Sequence, residues 1–145
     1  MIEANINIKI YGSRWDKDPF YKILKSKINL GHFGGPIYSK LIQSSKIAIC
    51  LTSTQNLDSI TSRSVEIPAI GTFMLAIKTK THENILLANK EAAYFKDVSE
   101  CIKKCRYYLK NVLERETIAN NGHKKIVKKL KLNNENLFNE ILNFN

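Results

Sequence analysis

Apolar runs of four or five residues alternate along this chain with longer segments in which apolar residues recur every three or four positions. The run at residues 47–51 is apolar throughout, which is typical of a strand buried on both faces of a parallel sheet. Residues 98–110 and 114–131 have the periodicity of amphipathic helices. This alternation of strands and helices favours an α/β fold with a Rossmann-like, doubly wound parallel sheet.

Shorter elements complete the predicted order. Besides residues 47–51, we expect strands over residues 6–11, 73–77 and 92–95. Besides the two long helices, we expect helices over residues 19–28, 37–44, 65–71, 82–88 and 135–142. With 145 residues, 43% of them hydrophobic, the chain can bury one core, so we expect a single domain over residues 1–145.

The short helix before residues 73–77 is placed by its proline and its glycine. Pro68 has no N–H and is tolerated mainly in the first turn of a helix, so we predict that this helix begins near Val65. Gly71 then ends it, since glycine is the usual residue just after a helix.

Hydrogen-bond donors gather at the predicted start of this helix. They are the guanidinium of Arg63, the hydroxyls of Thr61, Ser62 and Ser64, and the first-turn amides of residues 64–67. A helix N-terminus carries partial positive charge and unpaired amides, which suits a phosphate. Glu66, one turn further, could accept two hydrogen bonds from a vicinal diol. A phosphate together with a diol describes a nucleotide.

The same residues have a purely structural interpretation. Asp58, eight positions before Glu66, could simply cap a helix. Arg63 and Glu66, three positions apart, could form an exposed ion pair worth under about 1 kcal/mol. Spacing alone leaves both interpretations open.

Two glycine-containing loops follow predicted elements and are further candidates for ligand contacts. Open α/β sheets bind ligands at the carboxyl ends of their strands. The loop at residues 12–15 offers Gly12 and the guanidinium of Arg14, and the loop at residues 31–35 begins with Gly31. Neither loop matches the dinucleotide fingerprint or the P-loop, so turn formation explains these glycines equally well.

The formal charge of +10 would attract anions of any kind. Part of it is a lysine cluster at residues 124–131, in a chain that is also rich in Ile, Lys and Asn. A general bias toward lysine explains the charge as well as a binding face does. Because no aromatic residues interleave the cluster and no nucleic-acid motif surrounds it, we do not expect a nucleic-acid partner.

The cysteines and the N-terminus narrow the class of protein. Cys50, Cys101 and Cys105 form no Cys-x-x-Cys pair, so we expect neither a disulfide framework nor a metal site. No apolar run reaches the roughly 20 residues that cross a bilayer, and residues 1–5 lack the features of a signal peptide. We therefore expect a cytoplasmic protein without a membrane span.

From residue 35 to about residue 127, the chain resembles the C-terminal domain of group 1 glycosyltransferases, and in particular the CgeB-like branch named after a spore maturation protein. The most specific block is Glu66-Ile67-Pro68-Ala69 with Gly71 and the apolar residues 73–75. Weaker blocks occur in the same order at residues 45–51, 91–95 and 118–122.

The resemblance implies a glycosyltransferase that moves a sugar from a UDP- or GDP-linked donor to an unknown acceptor. In the wider group a carboxylate, seven residues and a glutamate form the donor signature, which Asp58 and Glu66 match with aspartate in first place. The implied roles are ribose binding for Glu66, diphosphate stabilisation for Arg63 and sugar positioning for Asp58. Retention at the anomeric carbon, no essential metal and no cofactor besides the nucleotide-sugar are also implied.

In this family two Rossmann-like domains face each other in the GT-B fold, and the acceptor binds the N-terminal one. We expect this chain to be the C-terminal half, beginning at the second strand of that domain, with the other half on a separate polypeptide. The alternatives are a gene fragment and a non-catalytic remnant that binds a nucleotide or scaffolds another subunit.

Overall fold

The computed structural model describes residues 5–52 and 59–129. The chain divides into two compact units, Met1–Leu41 and Ile42–Asn145, and each is described by itself below. The single domain expected from composition stays a prediction.

The first unit contains a two-stranded parallel sheet. Strand β1 pairs in register with β2, so that Ile10 lies opposite Ile28 and Gly12 opposite Leu30. The elements in chain order are β1 (Ile10–Gly12), a 3-10 turn (Trp15–Lys17), α1 (Tyr21–Leu24), a second 3-10 turn (Lys25–Lys27), β2 (Ile28–Leu30) and the start of α2 (Gly35–Gln43).

The helix predicted over residues 19–28 is wrong in length, and β2 was not predicted. Two apolar residues of the predicted helix do not face a core, because Phe20 and Ile23 are 63% and 73% exposed. Without burial of that face, helical spacing contributes little to a helix's stability. The chain instead makes one α-helical turn and returns to pair with β1. The strand predicted over residues 6–11 is likewise reduced to Ile10–Gly12.

The second unit is built on a three-stranded parallel sheet in the order β3-β4-β5. Helices connect the strands, as parallel strands require. The elements are β3 (Ala48–Cys50), α3 (Arg63–Ile70), β4 (Met74–Ile77), α4 (Lys80–Ile85), β5 (Ala93–Phe95), α5 (Val98–Lys110), α6 (Val112–His123) and a π-helical segment (Lys124–Lys129). The three strands predicted here and the helix over residues 98–110 are confirmed. The protein therefore has a mixed α/β, Rossmann-like fold with parallel sheets.

Three helix boundaries in this unit differ from the prediction. Helix α3 begins at Arg63 rather than near Val65, so Pro68 lies in the body of the helix and not in its first turn. Helix α4 begins at Lys80, because the side chain of Thr79 caps it by accepting from the amide of His82. The long helix begins at Val112 and changes to π geometry at Lys124. The helix predicted over residues 135–142 lies outside the described residues.

The C-terminal end of α3 is closed by Gly71 and His123. Gly71, in the left-handed conformation with φ 88°, ends the helix as predicted, and its amide donates to the Pro68 carbonyl. Nδ1 of His123, at the end of α6, lies 2.9 Å from the Ala69 carbonyl oxygen and 3.2 Å from that of Pro68. These contacts satisfy carbonyls that a helix end leaves without partners.

Two of the sequence blocks that carry the resemblance meet at a close backbone contact. A Cβ at Gly122 would overlap the carbonyl oxygen of Glu91 and would lie 3.5 Å from Pro68. Next to this contact, the side-chain amide of Asn121 donates to the Lys90 carbonyl at 3.1 Å. Glycine at position 122 is therefore required for α6 to pack here, between α3 and the segment that precedes β5.

Candidate functional site

The candidate site is the segment that enters α3, residues 61–66, which we call the α3 turn. It follows β3 in the chain and contacts the end of that strand, since Cys50 Sγ lies 3.7 Å from Thr61 Oγ1. Ile77, the last residue of β4, lies at the same edge of the sheet because the two strands are parallel. The α3 turn thus lies at the carboxyl edge, where open α/β sheets bind ligands.

Three polar side chains of the α3 turn are exposed: those of Ser62, Arg63 and Glu66. Ser62 is the N-cap residue of α3, but its side chain makes no capping hydrogen bond. The ion pairs among the described residues join Lys78 to Glu83, Lys104 to Glu100 and Arg115 to Glu116, and Arg63 takes part in none of them. The guanidinium and the Ser62 hydroxyl are therefore placed where an anion could reach them.

The amides of the α3 turn are less available than the sequence suggested. The Ser64 amide donates to the Thr61 carbonyl at 2.9 Å, and those of Val65 and Glu66 both donate to the Ser62 carbonyl at 3.0 Å. Ligand recognition at this turn would consequently depend on side chains more than on a set of free backbone donors.

Ser64, predicted to bind the ligand through its hydroxyl, instead points into the protein. It is 1% exposed, and its Oγ lies 2.7 Å from Nε2 of His82. The same oxygen accepts from the Thr61 amide at 3.2 Å and lies 3.6 Å from Cys50 Sγ. Ser64 therefore joins the α3 turn to the interior rather than facing solvent.

His82 has a defined tautomer. Its Nδ1 lies 2.8 Å from the Ile77 carbonyl oxygen, which can only accept, so Nδ1 carries the proton. Nε2 then has a free lone pair, and the Ser64 hydroxyl donates to it. Burial lowers the pKa of His82 below the ordinary value of 6.5, against a smaller opposing effect of the bond to Ile77, so the imidazole is neutral at pH 7.

His82 was not among the predicted site residues. A usable signal was present, because Thr79 stands three positions before His82 just after an apolar strand, as an N-cap residue does before the first turn of a helix. The His82 amide donates to Thr79 Oγ1 at 3.0 Å, and this capping bond fixes the position of His82 in the first turn of α4. Its partner Ser64 is remote in sequence, however, and only the fold brings the two together.

A second pair of contacts ties the segment before the α3 turn to α4. Thr79 Oγ1 donates to the Ser59 carbonyl at 2.7 Å, and Thr81 Oγ1 lies 2.9 Å from Ser59 Oγ. Residues 59–64 are thus held at both ends by α4 and the residue that caps it. Asp58, predicted to position the sugar, lies outside the described residues.

In the first unit, Gly12 and Gly31 lie side by side. Gly12 is the last residue of β1, and Gly31 directly follows β2. The Gly31 amide donates to the Gly12 carbonyl at 3.2 Å. Their φ values of 155° and 151° favour glycine. Arg14, also predicted to bind the ligand, is exposed and has φ 65°. The three predicted residues of this unit therefore lie at the carboxyl edge of its small sheet.

A cavity of about 300 Å³ lies at the other edge of the second unit. Lys46, Gly71 and Thr72 line it near the amino ends of β3 and β4, with Arg115 and Glu116 of α6. The Arg115 guanidinium is already engaged, since Nη1 donates to the Tyr108 carbonyl at 2.8 Å. The α3 turn is the stronger candidate because it lies at the ligand-binding edge of the sheet.

Neither a metal centre nor a reactive thiol emerges from the parts of the chain that the structure describes. No three His, Cys, Asp or Glu residues within residues 5–52 and 59–129 cluster as metal ligands would. Burial raises the pKa of the Cys105 thiol to about 12 and also raises that of Cys101. No described helix combines the length and apolar character needed to cross a membrane.

A family model described as glycosyl transferase-like matches residues 1–137, nearly the whole chain. No curated protein matches the chain.

Proposed function

The chain belongs to the glycosyl transferase-like family and is a glycosyltransferase domain, and from this premise we propose that its α3 turn binds the nucleotide part of a nucleotide-sugar donor. The reaction proposed is transfer of the sugar from a UDP- or GDP-linked donor to an acceptor. The proposal includes membership of the CgeB-like branch and action in the cytoplasm.

The observation that carries the proposal is the surface of the α3 turn. Arg63 and Glu66 are both exposed on the first turn of a helix at the carboxyl edge of a parallel sheet. The guanidinium offers paired donors to phosphate oxygens, and the carboxylate accepts from a ribose diol. A helix N-terminus adds favourable potential for the phosphate charge.

In this proposal each residue has a chemical task. Glu66 holds the donor ribose, and Arg63 offsets the negative charge that develops on the leaving diphosphate as the glycosidic bond breaks. Ser62 adds a hydroxyl donor, and Asp58 positions the transferred sugar. Ser64 and Thr61 act indirectly, because their hydrogen bonds fix the backbone of the turn.

The first unit, taken by itself, carries three of the predicted donor contacts. Gly12 and Gly31 allow the positive φ values of their loops, and Arg14 brings an exposed guanidinium. We propose that they contact the donor, and that a separate N-terminal glycosyltransferase half supplies the acceptor site. No resident metal or cofactor is part of the mechanism.

Calorimetric titration of the chain with UDP, GDP and ADP tests the donor site. We expect saturable binding of one nucleotide, and a loss of about tenfold or more in affinity for Glu66→Gln, because a charge-assisted hydrogen bond is lost. Glu116→Gln, on the exposed surface of α6, is the matched control and should bind as the unmodified chain does.

The results separate the possible outcomes. Binding that weakens in Glu66→Gln and in Arg63→Gln but not in Glu116→Gln supports the proposed site. Binding indifferent to both residues would place the nucleotide elsewhere. A folded chain that binds none of the three nucleotides would overturn the proposal and favour a scaffold that has lost its donor site.

A further inference from the structure

A buried chain of hydrogen bonds runs behind the α3 turn and includes one titratable group, the imidazole of His82. The Thr61 amide donates to Ser64 Oγ at 3.2 Å, the Ser64 hydroxyl donates to His82 Nε2 at 2.7 Å, and His82 Nδ1–H donates to the Ile77 carbonyl at 2.8 Å. Ser64 and His82 are 1% and 2% exposed. The chain thus connects the backbone of the turn to the end of β4 through one imidazole.

The imidazole is itself held firmly. Its ring stacks on that of Tyr94 in β5, with centroids 5.9 Å apart and planes 17° apart. The Tyr94 hydroxyl oxygen lies 2.9 Å from the His82 carbonyl oxygen and 2.7 Å from that of Leu86, and its single proton is shared between them, which fastens α4 to the sheet. A ring fixed by the Tyr94 ring and by the Ile77 carbonyl gives Ser64 a hydrogen-bond acceptor in one position.

We propose that His82 is a positioning residue for the donor site: its neutral ring accepts from Ser64 and so holds the α3 turn in the conformation that presents Arg63 and Glu66. Protonation of His82 would release the turn and weaken donor binding. This inference rests on the proposed donor-binding role of the turn.

The surroundings of His82 explain why protonation would have this effect. The Ser64 hydroxyl of α3 and the Tyr94 ring of β5 face it, with Cys50 Sγ of β3 beyond Ser64. Neither the hydroxyl nor the Tyr94 ring carries a negative charge near neutral pH, since burial raises the pKa of Tyr94. Glu83, beside His82 on α4, pairs with Lys78 at 3.0 Å. A buried imidazolium would therefore be better stabilised by water than by these neighbours, which favours opening of the turn.

Protonation also reverses the bond between the two side chains. A protonated Nε2 no longer accepts, so the bond to Ser64 can persist only with Oγ as the acceptor, and the hydroxyl proton has to turn away from His82 while Oγ also accepts from Thr61. Glutamine at position 82 separates the two states, because its side-chain oxygen can accept from Ser64 but does not titrate between pH 5 and pH 8.

The test is nucleotide affinity measured by calorimetry from pH 5 to pH 8, using whichever of UDP, GDP or ADP the full chain binds. We expect affinity to fall by about tenfold toward pH 5, and this acid loss to vanish in His82→Gln. Ser64→Ala should lower affinity by about tenfold at pH 7.5, since it leaves Nε2 and the Thr61 amide without partners.

His123→Gln is the matched control, because His123 contacts the same helix at its other end, through the carbonyls of Pro68 and Ala69. This variant should keep the acid loss of the unmodified chain. An acid loss that persists in His82→Gln, or that disappears equally in His123→Gln, would overturn the inference.

Hydrogen exchange of the amides of residues 61–66 provides a readout that needs no ligand. We expect about tenfold faster exchange in Ser64→Ala, and in the unmodified chain at pH 5 after correction for intrinsic rates, with no change in His123→Gln. If no nucleotide binds at any pH, the proposed function fails, and exchange alone decides whether His82 positions the turn. Exchange that stays unchanged in Ser64→Ala and at pH 5 overturns the inference.

Discussion

The two compact units of this chain contain similar elements but differ sharply in burial. Both contain parallel strands joined through helical segments. Among the described residues, none before residue 42 is classed as buried, whereas the second unit encloses residues such as Cys50, Leu75 and Ala93 at 0% exposure.

This contrast indicates that the two units rest on different interactions. The second unit gains stability by removing apolar side chains from water, at about 25 cal/mol for each Å². The first unit depends on backbone pairing of β1 with β2 and on a few ring contacts, such as the edge-on packing of Tyr11 and Phe33 at 5.3 Å. A two-stranded sheet of this kind is marginal in water.

The largest expected difference between the units is the response to a cavity. Leu75→Ala, at 0% exposure in β4, should lower the free energy of unfolding by about 3 kcal/mol, from lost transfer energy and the space left behind. Ile23→Ala, at 73% exposure in α1, should change it by less than about 0.5 kcal/mol.

Urea denaturation followed by far-ultraviolet circular dichroism measures both variants of this pair. Trp15, the only tryptophan, lies in the first unit, so its fluorescence reports that unit separately. Equal destabilisation by the two substitutions would contradict the contrast in burial.

The next largest effect concerns added volume rather than lost volume. Gly122→Ala should cost about 2 kcal/mol, because a Cβ there meets the Glu91 carbonyl and only backbone movement can relieve the overlap. Gly34→Ala, in the first unit, has nothing within 4 Å of the added atom and should be nearly neutral. Thermal denaturation of the two variants compares these effects, and a neutral Gly122→Ala would mean that α6 does not pack here as described.

Stability should also depend on pH through the second unit. Because burial lowers the pKa of His82 below 6.5, the unfolded chain binds a proton that the folded chain does not. His82 should therefore make its full contribution to the free energy of unfolding above about pH 6.5. That contribution should decline as the pH falls through the folded pKa of His82.

The control for this pH effect is again a variant at position 82. His82→Gln should show a shallower decline between pH 7 and pH 5 in urea denaturation than the unmodified chain shows. Glu100 does not confuse the comparison, because its pKa is lowered from 4.5 by the Lys96 amide and by Lys104, so it destabilises the fold only at more acid pH. Parallel curves for the two proteins would contradict this role of His82.

The difference in burial also explains which elements the sequence predicted well. Strands β3, β4 and β5 and helix α5 were predicted because apolar pattern and burial coincide there. The pattern misled at residues 19–28, where Phe20 and Ile23 are exposed and where β2 begins at the last residue of the predicted helix. Periodicity predicts structure only where a core exists to receive the apolar face.

The candidate site was predictable in outline but not in its orientation. Glycine, proline and the order of charged residues located the turn that carries Arg63 and Glu66. The inward direction of Ser64 was not predictable, because its partner His82 is 18 positions away and the bond depends on how α3 and α4 pack on one sheet. Local spacing identifies residue types, whereas long-range packing decides which of them face a ligand.

The smallest predicted effect is the cost of adding a Cβ where the backbone is left-handed, and this cost should be the same in both units. Equal costs would leave burial as the difference between the units. Gly71 and Gly35 both have left-handed φ values, 88° and 52°, and an added Cβ meets no atom closer than 3.9 Å at either position. Alanine at either position should therefore cost about 1 kcal/mol, the backbone penalty alone. Asparagine, which tolerates this conformation better, should recover part of the loss at both positions. Thermal denaturation monitored by Trp15 fluorescence and by circular dichroism checks each unit. A much larger cost at Gly71 than at Gly35 would show that backbone geometry, and not burial alone, distinguishes the two units.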